Sequence, residues 1–199
     1  MKRQVQATLF TSNHHEIEST DMNLFQSINS EAQKRAVRFL VIGGLATNCY
    51  GYSRDTVDLD LLVQKERRQD WLDLFSTLGY NLLADGGVFV QFSPPKAGAW
   101  PVDLMLVREP TFAPMLEQSK EVELFATQMR IPALEHLLAL KLHALKHTHV
   151  GRFLKDFLDV ENLVRVNRID LRSERVRQLF LKYGNLDLYE KALRACDRE

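Results

Sequence analysis

The segment spanning residues 37–63 constrains the fold more than any other part of the chain. It opens with an apolar run over residues 37–42 and turns at the glycine pair Gly43 and Gly44. An apolar run of this length is typical of one buried strand, and paired glycines allow a sharp turn into a helix. The sequence therefore predicts a strand, a glycine turn and a short helix over residues 45–50, in that order.

A second strand is predicted over residues 57–63, and it contains Asp58 and Asp60. Because side chains in a strand alternate between faces, both carboxylates are predicted on the face opposite the apolar set. That apolar set is Val57, Leu59, Leu61 and Val63. Two adjacent carboxylates repel each other in a strand that aspartate already disfavours. A divalent cation, Mg²⁺ or Mn²⁺, offsets this repulsion through carboxylate, water and phosphate ligands, whereas the alternative is an edge strand with a wet polar face.

Two further features extend this interpretation towards a phosphate and metal site. The helix that the glycines open presents free amide groups and a positive end, which suit a phosphate chain. Asp103 lies near the start of a third apolar run, residues 102–107, and is the natural third member of an acidic cluster. Sites with two metal ions about 3.5–4 Å apart need several such carboxylates. The alternative for Asp103 is a strand-end aspartate that makes a turn or cap.

Composition sets outer limits on the function. The 199 residues are 45% hydrophobic, which is enough for one domain, or two small ones, with a proper core. Lys plus Arg equals Asp plus Glu, at 26 each, so net charge does not argue for nucleic acid or membrane binding. From residue 141 onward there are 13 basic and 9 acidic residues, a surplus of +4 that permits an RNA or nucleotide partner.

Cysteine use and hydropathy favour a cytoplasmic protein. Cys49 and Cys196 are far apart and suggest neither a disulfide framework nor a zinc-ribbon spacing. No stretch approaches the roughly 18 apolar residues that span a bilayer, and the N-terminus lacks the apolar core of a signal peptide. We therefore expect reduced thiols and no membrane partner.

The rest of the chain predicts three regions: an N-terminal helical lead-in over 1–36, an α/β core over 37–131 and a helical region over 132–199. The apolar periodicity and the turn residues predict the further elements one by one. They are helices over 21–36, 67–78, 132–147 and 152–166, strands over 80–83, 88–92, 102–107, 121–125 and 129–131, and two helices over 170–199 that are broken at Gly184. Pro132 is placed in the first turn of its helix, where proline is tolerated.

Two anomalies mark the predicted C-terminal helices. Lys141 lies inside the apolar stripe of its helix, so that it either reaches the surface or meets an anionic group. Asp156 flanks the stripe of the next helix, and a pair between these two side chains is a third option. Four of the six histidines lie on the first of these helices or just after it: His136, His143, His147 and His149. His143 and His147 have metal-pair spacing but lack the glutamate of an HExxH motif, so a surface that faces water or RNA is favoured over a zinc site.

At this point the sequence resembles the nucleotidyltransferase superfamily and, within it, the AbiEii-like abortive-infection toxins of bacterial toxin–antitoxin systems. The similarity covers roughly residues 37–165. It is carried by Gly43, Gly44, Leu45, Ala46, Gly51, Arg54, Thr56, Asp58, Asp60, Asp103, Lys141, Ala144, Arg152, Lys155, Asp156 and Asp159. The strand, the glycine pair, the helix and the Arg-x-Thr-x-Asp-Leu-Asp sequence form its most specific part.

The resemblance implies an α+β nucleotidyltransferase fold: a small mixed β-sheet backed by helices, a C-terminal helical bundle, and a nucleotide in the cleft between them. It implies that Asp58, Asp60 and Asp103 bind Mg²⁺ and are catalytic. The nucleotide-binding residues that it implies are Gly43, Gly44, Arg54, Thr56 and Asp156, with Lys141 as a catalytic or phosphate-binding lysine. Many superfamily members have Gly-Ser where this chain has Gly43-Gly44, which removes one hydroxyl contact to phosphate.

The implied activity is transfer of a nucleoside monophosphate from a nucleoside triphosphate to an acceptor hydroxyl. RNA, in particular a tRNA 3′ end, a protein or a small molecule such as an aminoglycoside are the acceptors that this resemblance suggests. A toxin of this type implies a cognate antitoxin. Two alternatives belong to other classes: a nucleotide-binding module without turnover, and an antitoxin-like partner protein.

Overall fold

The computed structural model describes residues 14–147 and 150–196, and for residues 14–23 and 150–152 it describes the backbone alone. Residues 1–13 of the predicted lead-in therefore lie outside the described residues. The described chain forms two compact units. The first unit contains residues up to 46 together with 55–132, and the second contains residues 47–54 and those from 133 onward.

The first unit combines helices with two sheets. Its elements in chain order are α1 (His14–Lys34), β1 (Phe39–Val41), α2 (Gly43–Cys49), β2 (Leu59–Gln64), a 3₁₀ turn (Lys65–Arg67), α3 (Arg68–Thr77), β3 (Asn81–Asp85), β4 (Phe89–Ser93), β5 (Val102–Val107), α4 (Glu109–Glu117), β6 (Lys120–Leu124) and β7 (Thr127–Ile131). Helix α2 begins in this unit and its last residues belong to the second.

The larger sheet has five strands in the order β1, β2, β5, β4, β3. Strands β2 and β5 are parallel, and the other neighbouring pairs are antiparallel. The strands β3 and β4 form the hairpin predicted from its turn residues, in which Gly87 N donates 3.0 Å to Asp85 Oδ1. The smaller sheet pairs β6 with β7. The predicted mixed sheet is therefore confirmed.

Aromatic side chains form the core on one face of the larger sheet. Trp71 and Phe75 of α3 are fully buried. The Phe75 ring lies 4.8 Å from the Phe92 ring of β4 and 5.4 Å from the Tyr80 ring, between ring centroids. Packed aromatic pairs of this kind stabilise a core beyond the area that they bury. Helix α3 is therefore fixed against the sheet, and the alternate residues of β4 and β5 are left on the other face.

Three features of the first unit differ from what the sequence predicted. Strand β2 begins at Leu59 and not at Val57, whose side chain is 76% exposed. The pairing sets this limit, because Leu59 is the first residue of β2 with a partner on β5, Val102. Helix α4 was not predicted, because Pro110 and Pro114 hide its periodicity, although proline is compatible with a first helical turn. The α2 helix begins at the glycines themselves rather than after them.

The second unit contains four helices: α5 (Leu134–His147), α6 (Val150–Val166), α7 (Glu174–Tyr183) and α8 (Leu186–Cys196). Pro132 precedes α5 instead of lying in its first turn, because Ala133 C=O accepts the bond from Leu137 N at 2.9 Å and begins the helix. The predicted break at Gly184 is confirmed. Asn185 Oδ1 accepts from Leu188 N at 2.9 Å and caps α8.

One apolar core holds these helices together. Its fully buried members include Leu138 and Leu142 of α5, Val160 of α6 and Phe180 of α7. The Phe180 ring packs against Tyr189 of α8 at 5.7 Å between centroids. The predicted C-terminal helical bundle and the predicted α+β class are confirmed. Within the described ranges, every helix is too short or too polar to traverse a lipid bilayer.

Replacing Phe75 with alanine is expected to lower the free energy of unfolding by about 3–5 kcal/mol, because the cavity would lie between α3 and the sheet. The matched control is Phe89→Ala, since the Phe89 side chain is 50% exposed and its loss should cost less than about 1 kcal/mol. Chemical denaturation followed by circular dichroism measures both. Equal effects of the two variants would contradict the packing of α3 on β4.

Candidate functional site

An acidic cluster lies on the face of the larger sheet that α3 leaves open. Asp58, Asp60 and Asp103 each offer a carboxylate oxygen, and these oxygens lie within 4.8 Å of one another. Asp60 of β2 is directly opposite Asp103 of β5 in the parallel register, and Asp58 precedes β2 by one residue. All three residues are half-buried. The structure therefore brings together the three carboxylates that the sequence suggested.

Two of these carboxylates accept hydrogen bonds from neighbouring side chains. Thr56 Oγ1 donates to Asp58 Oδ1 at 3.0 Å. Gln91 Nε2 lies 3.1 Å from both oxygens of Asp103. Donors of this kind orient a carboxylate. The cluster is therefore a set of oriented side chains and not only a local excess of negative charge.

Gly43 gives the third carboxylate its space. Its φ is +61°, a conformation that side chains rarely adopt, and a Cβ at this position would overlap the Asp60 carboxylate and lie 2.8 Å from the Asp60 Cβ. The backbone beside it is fixed, because Ile42 N donates to Asp60 C=O at 2.9 Å. Gly44 follows as the second residue of α2. Glycine at position 43 is therefore required by the acidic cluster itself.

The donor set fits a hard divalent cation. It consists of carboxylate oxygens alone, without the nitrogen or sulfur that zinc and copper prefer. Opposite ligands of Mg²⁺ are about 4.2 Å apart, since each Mg–O bond is about 2.1 Å. Oxygens within 4.8 Å need only small side-chain rotations to close on such an ion. The three residues are therefore suited to Mg²⁺ or Mn²⁺.

The second unit contains a buried charge cluster formed by Arg54, Lys141 and Asp159. Lys141 Nζ donates to Asp159 Oδ2 at 2.6 Å, and Arg54 Nη2 donates to the same oxygen at 3.0 Å. Arg54 Nε lies 2.8 Å from Asp159 Oδ1 as an ion-pair contact. The Asp159 side chain is 1% exposed and that of Lys141 is 11% exposed. Two cations therefore share one buried carboxylate.

This arrangement corrects the partner suggested for Lys141. The sequence offered Asp156, whereas the carboxylate within hydrogen-bond distance of Lys141 is Asp159. Lys141 also does not reach the surface, because only 9% of the residue is exposed. Asp156 is buried as well and lies one helical turn before Asp159 on α6. The lysine in the apolar stripe is therefore explained by a buried ion pair.

Side-chain hydrogen bonds hold the loop that carries Arg54. Asn48 Oδ1 accepts from Arg54 N, and Asn48 Nδ2 donates to Arg54 C=O, both at 3.0 Å. Asn167, just after α6, donates from Nδ2 to Tyr50 C=O at 3.1 Å. Together with the Arg54–Asp159 contacts, these bonds attach residues 47–54 to α6. The segment that follows the glycine turn is therefore anchored in the second unit by polar contacts.

Three residues that the structure places at these clusters had no predicted role: Gln91, Asn48 and Asp159. Gln91 alternates with apolar residues in a strand that was predicted, but the pairing of that strand with β5 was not predicted. Asp159 was part of the family resemblance and its partners were not known. Asn48 gave no signal, because a lone asparagine near a turn is common.

The histidines form no metal site in the part of the chain that the structure describes. The rings of His143 and His147 lie 4.8 Å apart between centroids, and no third ligand joins them among those residues. Burial lowers the pKa of His136, and it is the largest cause that lowers the pKa of His143. His149 lies outside the described residues. The lowered pKa values of His136 and His143 favour neutral imidazoles near pH 7.

A cysteine nucleophile is also disfavoured. Burial raises the pKa of the Cys49 thiol to about 11. The thiolate, which is the reactive form, is therefore scarce at neutral pH. The acidic cluster remains the group with a clear chemical capability.

Comparisons with known proteins agree with this fold. No protein-family model matches the sequence, and no curated protein matches it. Among solved structures, the chain is similar to ANT(2″)-Ia in complex with adenylyl-2″-tobramycin, with a TM-score of 0.61, 17% identity and coverage of 82% of this chain and 97% of that one.

Two further structures show the same similarity. The lincosamide antibiotic adenylyltransferase LnuA, in its lincomycin-bound form, has a TM-score of 0.51 and 15% identity, with 78% of this chain and 99% of that one covered. An antigenic nucleotidyltransferase-like protein from Paracoccidioides brasiliensis has a TM-score of 0.52 and 14% identity, with 92% and 94% covered. At these identities the comparisons show the fold, which is that of the nucleotidyltransferases.

Gly43→Ala is expected to destabilise the protein more than Gly87→Ala does. Both glycines have positive φ, but a Cβ at Gly87 has open space within 4 Å, whereas one at Gly43 overlaps Asp60. Gly87→Ala should therefore cost only the backbone strain, about 1–2 kcal/mol. Gly43→Ala should cost a further 1–3 kcal/mol or so from overpacking. Equal free energies of unfolding for the two variants would contradict the close approach of Asp60.

Asp159→Ala is expected to lower the free energy of unfolding by about 3–5 kcal/mol, because it leaves the buried Lys141 and the half-buried Arg54 without their shared carboxylate. The control is Asp187→Ala, which removes an ion pair with Lys191 from a side chain that is 64% exposed and should cost less than about 1 kcal/mol. Denaturant titration measures both. A cost for Asp159→Ala as small as that of the control would show that the buried cluster is not formed.

Proposed function

We propose that this chain is a nucleotidyltransferase that depends on a divalent metal ion and transfers a nucleoside monophosphate from a nucleoside triphosphate to an acceptor hydroxyl. The observation that carries the proposal is the acidic cluster of Asp58, Asp60 and Asp103 on a nucleotidyltransferase fold. Carboxylates gathered on neighbouring strands are the ligands that phosphoryl-transfer sites use for their metal ions.

The three carboxylates would hold Mg²⁺ or Mn²⁺. When bound, such an ion stabilises negative charge on the phosphoryl oxygens and lowers the pKa of a coordinated hydroxyl. In the proposed reaction the acceptor oxygen forms a bond to the α-phosphorus, the bond to the bridging oxygen breaks, and pyrophosphate leaves. Asp103 is the residue proposed either as a ligand on the side of the attacking hydroxyl or as the base that takes its proton.

The nucleotide contacts are proposed from the resemblance and from side-chain chemistry. Gly43 and Gly44 carry no side chains, so their backbone can approach a triphosphate closely. Thr56 supports the cluster through Asp58. Lys141 and Arg54 share one carboxylate, Asp159, which leaves a net positive charge in that group of three and supports a role in neutralising phosphate.

Asp156 belongs to the same proposal as the polar residue that the resemblance places beside Lys141. It is a buried carboxylate of α6, one turn before Asp159. Its part in nucleotide binding is tested by the substitution Asp156→Asn and the dissociation constant of a nonhydrolysable triphosphate.

The acceptor is proposed from the family resemblance alone. AbiEii-like toxins suggest RNA, including a tRNA 3′ end, and a cognate antitoxin as partner. The surplus of +4 from residue 141 onward supports an anionic acceptor. An assay assigns the class: the protein, Mg²⁺ and each triphosphate labelled at the α-phosphate are incubated with total RNA, total protein or an aminoglycoside, and the pool that takes up label is identified.

Asp58→Asn, Asp60→Asn and Asp103→Asn are each expected to reduce label transfer by more than about 100-fold, since loss of mere outer-shell partners already costs 10–100-fold. The matched control is Asp187→Asn, an exposed carboxylate of α8, which should keep full transfer. Circular dichroism should show all four variants folded.

Removal of divalent ions with a chelator should abolish transfer, and Mg²⁺ or Mn²⁺ should restore it. Full activity in the Asp58→Asn variant would overturn the assignment of the site. Tight triphosphate binding by the wild-type protein with no product under any metal or acceptor would instead indicate a nucleotide-binding module without turnover.

A further inference from the structure

Gln91 is a neighbour of the acidic cluster whose position follows from the sheet and not from any motif. It lies on β4, directly opposite Asp103 of β5 in the antiparallel register. Both side chains therefore point to the same face of the sheet. The Gln91 side chain is exposed, so that it fills no part of the core and has freedom to rotate away.

The contact itself is symmetric. Gln91 Nε2 lies 3.1 Å from Asp103 Oδ1 and 3.1 Å from Asp103 Oδ2. A donor at equal distances from both oxygens lies on the plane that bisects the carboxylate between them. The position of a cation bound by both oxygens together lies on the same plane. The amide donor therefore faces both oxygens of Asp103 from between them, and a metal ion would approach the outer side of one oxygen.

We propose that Gln91 is a positioning residue of the acidic cluster, which holds the Asp103 carboxylate so that it presents a single oxygen to the divalent cation shared with Asp58 and Asp60. This inference rests on the proposed function, because it requires the cluster to bind a cation. A single oxygen per carboxylate suits Mg²⁺, which demands near-octahedral geometry, whereas chelation by both oxygens suits the larger Ca²⁺.

Charge supports an amide rather than a charged residue at position 91. A lysine or arginine in this place would neutralise Asp103 and repel the cation, and a glutamate would add a fourth negative charge. The neutral amide donates a hydrogen bond and leaves the total charge of the cluster unchanged. Outer-shell donors of this kind orient metal ligands in many proteins, and their loss typically weakens metal binding by about 10–100-fold.

The chain contains a close control for this contact. Gln128 of β7 is directly opposite Glu123 of β6, and its Nε2 donates to Glu123 Oε2 at 3.4 Å. It is also exposed, but it belongs to the smaller sheet and has no acidic cluster beside it. An ordinary cross-strand pair and a positioning contact can therefore be compared by the same substitution in the same protein.

The test measures Mn²⁺ binding to the full chain by the loss of the free Mn²⁺ signal in electron paramagnetic resonance, for the wild type, Gln91→Leu and Gln128→Leu. Leucine keeps the size of the side chain and removes the donor. We expect Gln91→Leu to bind Mn²⁺ at least about 10-fold more weakly, with an unchanged thermal midpoint, and Gln128→Leu to match the wild type in both.

Each outcome has a distinct consequence. If Gln91→Leu binds Mn²⁺ within twofold or so of the wild type, the positioning role is overturned while the proposed function stands. If both leucine variants weaken binding equally, the effect is not specific to the cluster and the inference also fails. If the wild type itself binds no Mn²⁺, or if Asp60→Asn binds as the wild type does, the proposed function fails and this inference fails with it.

Discussion

The parallel pairing of β2 with β5 is the constraint on which the acidic cluster depends, because it holds carboxylates together that repel each other. Asp60 and Asp103 are brought together because β2 and β5 are paired in parallel with these residues opposite each other. A shift of that pairing by one residue would send one of the two to the other face of the sheet. The buried apolar residues on both sides of the register, Leu59 and Leu61 with Val102 and Leu104, prevent such a shift because they would become exposed. The hydrophobic core therefore holds Asp60 and Asp103 next to each other, and a bound cation would offset the repulsion between them.

The second unit also contains a cluster of charged side chains, but in this cluster the cations outnumber the carboxylate. One carboxylate, Asp159, is almost fully buried and meets two cations, Lys141 and Arg54. A buried ion pair stabilises little by comparison with apolar packing, but removal of one member is costly. Such a cluster is therefore better understood as a device that fixes position. It ties residues 47–54, the end of α2 and the loop that follows it, to α5 and α6.

How much the sequence could reveal depended on whether an interaction is local. The apolar run over residues 102–107 predicted the strand that carries Asp103, and the alternation in residues 57–63 predicted a shared face for Asp58 and Asp60. That alternation misplaced Val57, because an apolar pattern can continue beyond the residues that a partner strand pairs. The contact of Gln91 with Asp103 required the order of strands in the sheet, which links residues 12 positions apart through a hairpin and its register.

The partner of Lys141 shows the same limit on helices. Asp156 and Asp159 are three residues apart on α6, so they project in directions that differ by about 60°. Which of them meets Lys141 depends on the rotation of α6 against α5, and that rotation is set by the packing of Leu142, Val160 and their neighbours. Periodicity identified the apolar stripe correctly but not the carboxylate beside it. Residue chemistry was therefore predictable, whereas the exact pairing was not.

The most direct test of a metal-binding cluster is a crystal of the protein grown with Mn²⁺ and measured for anomalous scattering. We predict an anomalous peak between the carboxylates of Asp58, Asp60 and Asp103, at about 2.0–2.3 Å from one oxygen of each, as hard divalent cations require. Absence of a peak at that position, in crystals soaked at Mn²⁺ concentrations that saturate ordinary carboxylate sites, would contradict the proposed role of the cluster.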